Sequence, residues 1–266
     1  MRFIFDHDLH IHSNLSRCCK DPEQTKENIL AYAQKNKLST ICITDHYWDS
    51  AVDGASPWYA TQNFDHISQI KPLPQADGVR FLFGCESEMN RDMVLALPPE
   101  RFDDFDFIII PTTHMHMPLV VPEDDPKTPA SRAKLWVERL EAFLNKDLPY
   151  HKMGIAHLNC CLMIHKRPRE EYLQALDLIS NEDMERLFAK AAEVGVGIEL
   201  NLSEMDCAEE EVDCIYRMFR IAKKAGCKFY FGSDSHSLDA FEDVQRITNR
   251  TIDILDLQES DKFVLQ

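Results

Sequence analysis

The stretch FDFIIIPTTH, residues 105–114, is the most informative about the fold, because the apolar run FIII is followed four residues later by a histidine. A strand with one face in water alternates apolar and polar residues, whereas a continuous apolar run indicates a strand that is covered on both faces. The runs STICIT at 39–44 and KFYFG at 228–232 have the same character, and an aspartate follows each of them closely. These runs predict buried parallel strands in an α/β fold.

Apolar runs alternate with amphipathic segments along the whole chain. The seven predicted strands are 4–11, 39–46, 79–86, 105–113, 153–158, 196–201 and 228–233. The predicted helices are 26–35, 130–145, 181–194 and 209–225, and glycines follow the last two, as at helix C-termini. Such alternation predicts a parallel sheet with right-handed crossovers. We expect one domain spanning residues 1–266, with a barrel favoured over an open doubly wound sheet.

Two long irregular segments, 48–63 and 118–129, interrupt the regular pattern and are rich in Pro, Asp and Ser. Loops of that length in a compact fold usually act as lids or as the walls of a site. The sequence alone does not assign a role to either segment.

Composition limits the classes of function that are open to the chain. Its formal net charge of −16 disfavours long nucleic acid as a partner, because nucleic acid binds to protein surfaces on which basic residues cluster. The sequence contains no run of about 18 apolar residues, so no membrane span is predicted. The opening residues MRFIFDHDLHIHS are strand-like, so no secretion signal is expected. Nine irregularly placed cysteines without a CxxC pair are typical of a reduced, cytoplasmic protein.

The ends of the predicted strands carry the chemistry. In a parallel barrel, functional residues lie at the carboxyl ends of the strands. Here those ends are His10 and His12, Asp45 and His46, Glu86, His114 and His116, His157, Glu199 and Asn201, and Asp234 and His236. Imidazole and carboxylate are ligands that zinc, manganese and iron share. Each motif alone is a weak signal, but seven strand ends of this kind in succession predict a metal site.

Six motifs in order carry a resemblance to a known family. They are DLHIHS at 8–13, CITDH at 42–46, FGCE at 83–86, IIIPTTH at 108–114, GIAH at 154–157 and GSDSH at 232–236. The sequence resembles the PHP (polymerase and histidinol phosphatase) domain family of metal-dependent phosphoesterases. That resemblance implies a distorted, seven-stranded TIM-like (β/α) barrel with two or three divalent ions, which would be zinc, manganese or iron.

The resemblance also implies which residues bind the ions. The first ion would take His10, His12, Glu86 and Asp234, and the second would take Glu86 as a bridge with His114 and His157. A third would use His46 and His236. Family members often place another His or Asp shortly after the HxH motif, where this chain has Cys18. Two alternatives stay open: a zinc-selective site that includes Cys18, or a weak or empty site.

These features together predict hydrolysis of a small phosphate ester, similar to the reaction of histidinol phosphatases, by a hydroxide that bridges two ions. His116 is expected to contact the substrate or donate a proton, although an ordinary loop histidine is an equal alternative, and Asp45 is a further catalytic candidate. Basic residues on the loops after the strands are weaker candidates for substrate contacts, namely Arg17, Lys166 and Arg167.

Three other functions stay open at this point. The first is an amidohydrolase-type deaminase or amidase, against which the GCE glutamate and the DSH motif count. The second is an exonuclease or nucleotide phosphoesterase. The third is a metal-binding regulatory domain without activity, which the completeness of the first two ligand sets disfavours.

Overall fold

A ring of parallel strands forms the centre of the molecule. The computed structural model describes residues 1–265. The strands are His7–Ile11 (β1), Thr40–Ile43 (β2), His46–Tyr47 (β3), Arg80–Ser87 (β4), Phe107–Pro111 (β5), Met153–Ala156 (β6), Gly197–Asn201 (β7) and Lys228–Gly232 (β8). They pair in the order β1-β2-β4-β5-β6-β7-β8, and the short β3 pairs with β4.

The last strand returns to the first, so that the ring nearly closes. The N–H of Asp234 donates to the carbonyl of His10 over 2.7 Å, and the N–H of His12 donates to the carbonyl of Ser235 over 3.1 Å. Elsewhere along this seam the buried Asp8 carboxylate accepts the N–H of Ser233 over 2.9 Å. The predicted seven-stranded, TIM-like α/β barrel of parallel strands is therefore confirmed.

One predicted strand is split in two. The run 39–46 leaves the sheet after Ile43 and resumes at His46 as β3. Between them, the buried Asp45 carboxylate accepts the backbone N–H of Ser13 over 2.7 Å and its hydroxyl over 2.6 Å. These bonds hold Asp45 against the loop after β1 and interrupt the ladder.

Eight α-helices surround the strands in the described residues. They are Lys26–Asn36 (α1), Phe64–Ile67 (α2), Pro129–Leu144 (α3), Arg169–Leu178 (α4), Asn181–Val194 (α5), Leu202–Met205 (α6), Val212–Ala225 (α7) and Val244–Leu255 (α8). As predicted, α5 and α7 end at Gly195 and Gly226, whose φ values of 77° and 90° suit glycine. Within residues 1–265, no helix combines the length and apolarity needed to cross a bilayer.

Two apolar layers hold this arrangement together. The larger one lies between the strands and the helices. A smaller cluster joins side chains from six strands, which is possible only inside the barrel; its members are Leu9, Cys42, Leu82, Phe107, Ile109, Ala156, Tyr230 and Phe263. Phe263 contacts this cluster from the C-terminal segment, and its N–H donates to the carbonyl of Phe229 over 2.7 Å. The barrel interior is thus filled, and polar chemistry is confined to its mouth.

Candidate metal centre

Glu86, the penultimate residue of β4, lies at the centre of the mouth and is buried. Its Oε2 atom is 3.7 Å from His10 Nε2 and 3.4 Å from His12 Nε2. Its Oε1 atom is 3.0 Å from His157 Nε2 and 3.8 Å from His114 Nε2. Oε1 therefore faces one pair of imidazoles and Oε2 faces another pair, which is the arrangement a carboxylate needs to bridge two ions. A further imidazole nitrogen, His46 Nδ1, lies 2.9 Å from Oε2.

The first group of donors comes from both sides of the closing seam. The Nε2 atoms of His10 and His12 are 3.1 Å apart. Asp234 Oδ1 lies 3.4 Å from the first of these nitrogens and 3.2 Å from the second. The amide of Asn201 donates to the other Asp234 oxygen over 3.2 Å. Asp234 has a φ of 53°, and such backbone strain is concentrated at functional sites.

The four histidines around Glu86 are oriented by partners on their other ring nitrogen. These Nδ1 contacts join His10 to Glu199 (2.7 Å), His12 to Ser16 (3.1 Å), His114 to Glu88 (2.6 Å) and His157 to Thr113 (3.0 Å). With Nδ1 engaged in this way, the Nε2 atom of each of these histidines faces the Glu86 carboxylate. Partners of this kind fix the tautomer and raise the basicity of a histidine that binds a metal.

Two of these partners carry roles that sequence reasoning did not assign. Glu199 was recognised only as a strand end, yet its second oxygen also accepts the backbone N–H of His157 over 2.5 Å. A Cβ at Gly232 would lie 2.1 Å from Glu199 Oε1, so only glycine fits there. Glu88 was missed, although it follows Glu86 by two residues, the period that returns side chains to one face of a strand.

Glu86, His114 and His157 form a second group of donors, and a third group lies next to the first. Single donor atoms of its members lie within 4.8 Å of one another; the members are His12, Cys18, His46 and His236. His46 Nδ1 is 2.9 Å from Glu86 Oε2, but the angles are not those of a hydrogen bond, so this buried nitrogen has no partner in the described protein. The Cys18 sulfur is 3.2 Å from Ser16 Oγ, and burial raises the pKa of its thiol.

The electrostatics of the cluster fit a cation. Burial alone would raise the pKa of Glu86 and of Asp234, but the surrounding imidazoles hold both pKa values well below the usual range. In return, the two carboxylates overcome the effect of burial and raise the pKa of His12 and of His157 to about 9. Buried carboxylates need positive charge nearby. Divalent ions supply that charge, and imidazole, carboxylate and thiolate are suitable donors for them.

Two long loops form walls around the mouth. A cavity of about 450 Å³ lies over the donors. The segment 48–63 contributes Trp58 and Tyr59 to its lining, and the segment 118–129 contributes Pro118 and Leu119. The Tyr59 hydroxyl donates to Glu88 over 2.6 Å, which ties one wall to the hydrogen-bond partner of His114.

The structure places the remaining candidate residues in different surroundings. His116 lines the cavity at the mouth, with its ring centre 5.6 Å from that of His114. Asp45 makes the bonds to Ser13 described above, and its nearer oxygen is 4.0 Å from His12 Nδ1. Of these two, only His116 reaches the space above the donors.

The basic candidates lie away from the donors. The Arg17 guanidinium donates to the carbonyl of Pro57 over 3.0 Å and supports the wall. Lys166 is exposed, with a φ of 62°, and does not line the cavity over the donors. Arg167 lines a neighbouring cavity.

Comparisons with known proteins agree with this fold. A crystal structure of histidinol phosphate phosphatase from Lactococcus lactis, complexed with zinc, L-histidinol and phosphate, superimposes with a TM-score of 0.57 at 17% identity, covering 92% of this chain and 93% of that chain. A putative histidinol phosphatase from Listeria monocytogenes gives a TM-score of 0.58 at 13% identity, covering 90% and 98%. No curated protein matches the sequence. The family model described as PHP domain matches residues 8–260. The chain therefore belongs to the PHP domain family of metal-dependent phosphoesterases.

Proposed function

We propose that this protein is a phosphatase that hydrolyses a small phosphate ester with the help of two divalent ions. The observation that carries the proposal is the position of Glu86, whose two oxygens each face a different pair of imidazoles. Zinc, L-histidinol and phosphate in the Lactococcus protein support both the ions and the phosphate ester, and make histidinol phosphate one candidate substrate.

Six residues would hold the two ions: His10, His12, Glu86, His114, His157 and Asp234. When bound, such ions activate a water molecule and neutralise the oxygens of a phosphoryl group. The protein's own contribution is to fix its donors, through buried hydrogen bonds such as that from His10 Nδ1 to Glu199, and to shield the mouth with Trp58 and Leu119. His116 makes no hydrogen bond within the described protein and is placed to contact the substrate.

This site gives less support to the alternative amidohydrolase reaction. Enzymes of that kind usually bridge two ions with a modified lysine or use a single ion. Here Glu86 lies between the two pairs of imidazoles, and no lysine lines the cavity over them in the part of the chain that the structure describes.

Release of phosphate from p-nitrophenyl phosphate tests the proposal. The protein, supplied with Mn²⁺ or Zn²⁺, should hydrolyse this ester, and a chelator should abolish the activity. Glu86→Gln should be inactive, whereas Glu193→Gln, which changes an exposed carboxylate on α5, should behave like wild type. Hydrolysis that survives exhaustive chelation would contradict the proposal.

We propose further that Cys18, His46 and His236 hold a third ion. The supporting observations are the short distances among their donor atoms and the unpartnered His46 nitrogen. Cys18→Ser should lower the metal stoichiometry by about one ion and weaken the preference for zinc, because a hydroxyl is a poor soft ligand. Elemental analysis checks this, and unchanged stoichiometry and metal preference would show that Cys18 is not a ligand.

A further inference from the structure

A second cavity of about 410 Å³ opens beside the mouth of the barrel. His116 and Pro118 line both cavities and therefore form the boundary between them. The second cavity lies between the segment that follows β5 and the turn before α4. We call it the basic cavity, because it is lined by four cationic side chains, Arg91, Lys127, Arg132 and Arg167, and by one carboxylate, Glu123.

Several hydrogen-bond donors in the basic cavity have no partner. Lys127 Nζ makes no ion pair in the described residues, and Arg167 uses only its Nε atom, on Glu171 at 2.9 Å. The rings of His116 and His165, whose centres are 5.6 Å apart, make no hydrogen bond within residues 1–265. An ammonium group, the outer edge of a guanidinium and two imidazoles are thus available to a ligand.

The other two cations are already held by the protein and shape the cavity. Arg91 pairs with Glu123 over 2.5 Å and donates to the carbonyl of Pro118 over 2.8 Å. Arg132 is buried, pairs with Asp125 over 3.0 Å, and leaves its Nε atom without a partner in the described protein. These contacts anchor the segment after β5, so the available donors lie on a supported wall.

Such a concentration of unpartnered donors stands out in a chain whose net charge is −16. Guanidinium and ammonium groups bind phosphate and carboxylate oxygens through charge-assisted hydrogen bonds. We propose that the basic cavity binds a second anionic group of the substrate, so that the preferred ester carries a further phosphate or carboxylate beyond the one that is hydrolysed. The inference rests on the proposed phosphatase activity. It also predicts that histidinol phosphate is a poorer substrate than such an ester, because it carries no second anionic group.

Four esters with the same six-carbon chain separate the possibilities. They are hexanediol monophosphate, hexanediol bisphosphate, phosphooxyhexanoate and aminohexyl phosphate, which present a neutral, a phosphate, a carboxylate and a cationic far end. We expect kcat/KM for at least one anionic ester to exceed that of the neutral ester about ten- to hundred-fold, which is what one or two charge-assisted hydrogen bonds provide. The cationic ester should be the poorest, and the two anionic esters show which anion is preferred.

Variants show whether the basic cavity causes the preference. Arg167→Gln and Lys127→Gln should each lower the ratio of kcat/KM between the anionic and the neutral ester, and the double variant should lower it most. Lys134→Gln is the control, because it removes one positive charge from the exposed side of α3, where Lys134 pairs only with Glu138. That variant should keep the ratio of the wild type.

Equal kcat/KM values for the neutral and anionic esters would overturn the inference while leaving the phosphatase activity established. If no ester is hydrolysed, the proposed function fails, and calorimetry still tests the cavity: metal-free protein should bind inorganic pyrophosphate, and the double variant should bind it at least about ten-fold more weakly. Absent or equal pyrophosphate binding by the two proteins would overturn the inference.

Discussion

Glu199→Gln is the sharpest test of how the barrel prepares its metal ligands. Glu199 is fully buried, and its two oxygens accept the Nδ1–H of His10 over 2.7 Å and the backbone N–H of His157 over 2.5 Å. Glutamine keeps the size of the side chain, but it has only one oxygen. Its NH₂ group must then face one of these two donors, so either His10 or the backbone at His157 loses its acceptor.

The expected loss follows from the role of such partners. Removing a hydrogen-bond partner of a ligand histidine typically costs 10–100-fold in metal affinity, which corresponds to about 1.4–2.7 kcal/mol. Competition with a chelating dye measures the Kd for Mn²⁺ or Zn²⁺ in Glu199→Gln, in wild type and in the control Glu193→Gln. Urea unfolding in the presence of a chelator measures stability separately.

The outcome separates two roles for Glu199. Weaker metal binding in a variant that is folded under the assay conditions supports the orienting role. A Glu199→Gln variant that is less stable in chelator but binds metal as wild type does would show that Glu199 is only structural. Unchanged affinity and unchanged stability would refute the reasoning altogether.

Two further predictions concern stability. Arg139 is fully buried and donates to the carbonyls of Met89 (2.6 Å), Asn90, Thr112 and Val120. Arg139→Met should therefore lower the free energy of unfolding by about 3–5 kcal/mol. A loss under about 1 kcal/mol in urea titration would contradict this. Partial burial would raise the pKa of Asp6, but hydrogen bonds from His7 and Lys262 outweigh it and lower the pKa to about 2. Ionised Asp6 therefore stabilises the fold above its ordinary pKa of 3.8, and this contribution is lost as the pH falls towards 2. The difference in urea midpoint between wild type and Asp6→Asn should therefore close as the pH is lowered from 3.8 to about 2. A difference that is constant across the window would contradict the assignment.

Much of this architecture could be predicted because the two signals that indicate it, the apolar runs and the polar residues that follow them, are local in sequence. Continuous apolar runs mark strands that are covered on both faces, and the residue after each run lies at the mouth of a barrel. Glu86 and Asp234 could therefore be placed together, although they are far apart in sequence. Gly195 and Gly226 marked helix ends because few other residues adopt a positive φ readily.

The rest depends on tertiary contacts that no local pattern encodes. The break at Asp45 arises from its bonds to Ser13, on a neighbouring segment. The role of Glu199 requires His10 and His157, which come from two other strands. The basic cavity joins segments that are distant in sequence, so Arg167 could be named as a basic loop residue but not assigned to a place.

The most direct test of the account is a count of metal ions. Elemental analysis of the wild-type protein after purification should find at least two divalent ions for each chain. Glu86→Gln should lose the two bridged ions, because a single carboxylate faces both groups of imidazoles. A folded Glu86→Gln protein that retains the full metal content of wild type would contradict the bridging role of Glu86, and with it the proposed two-metal site.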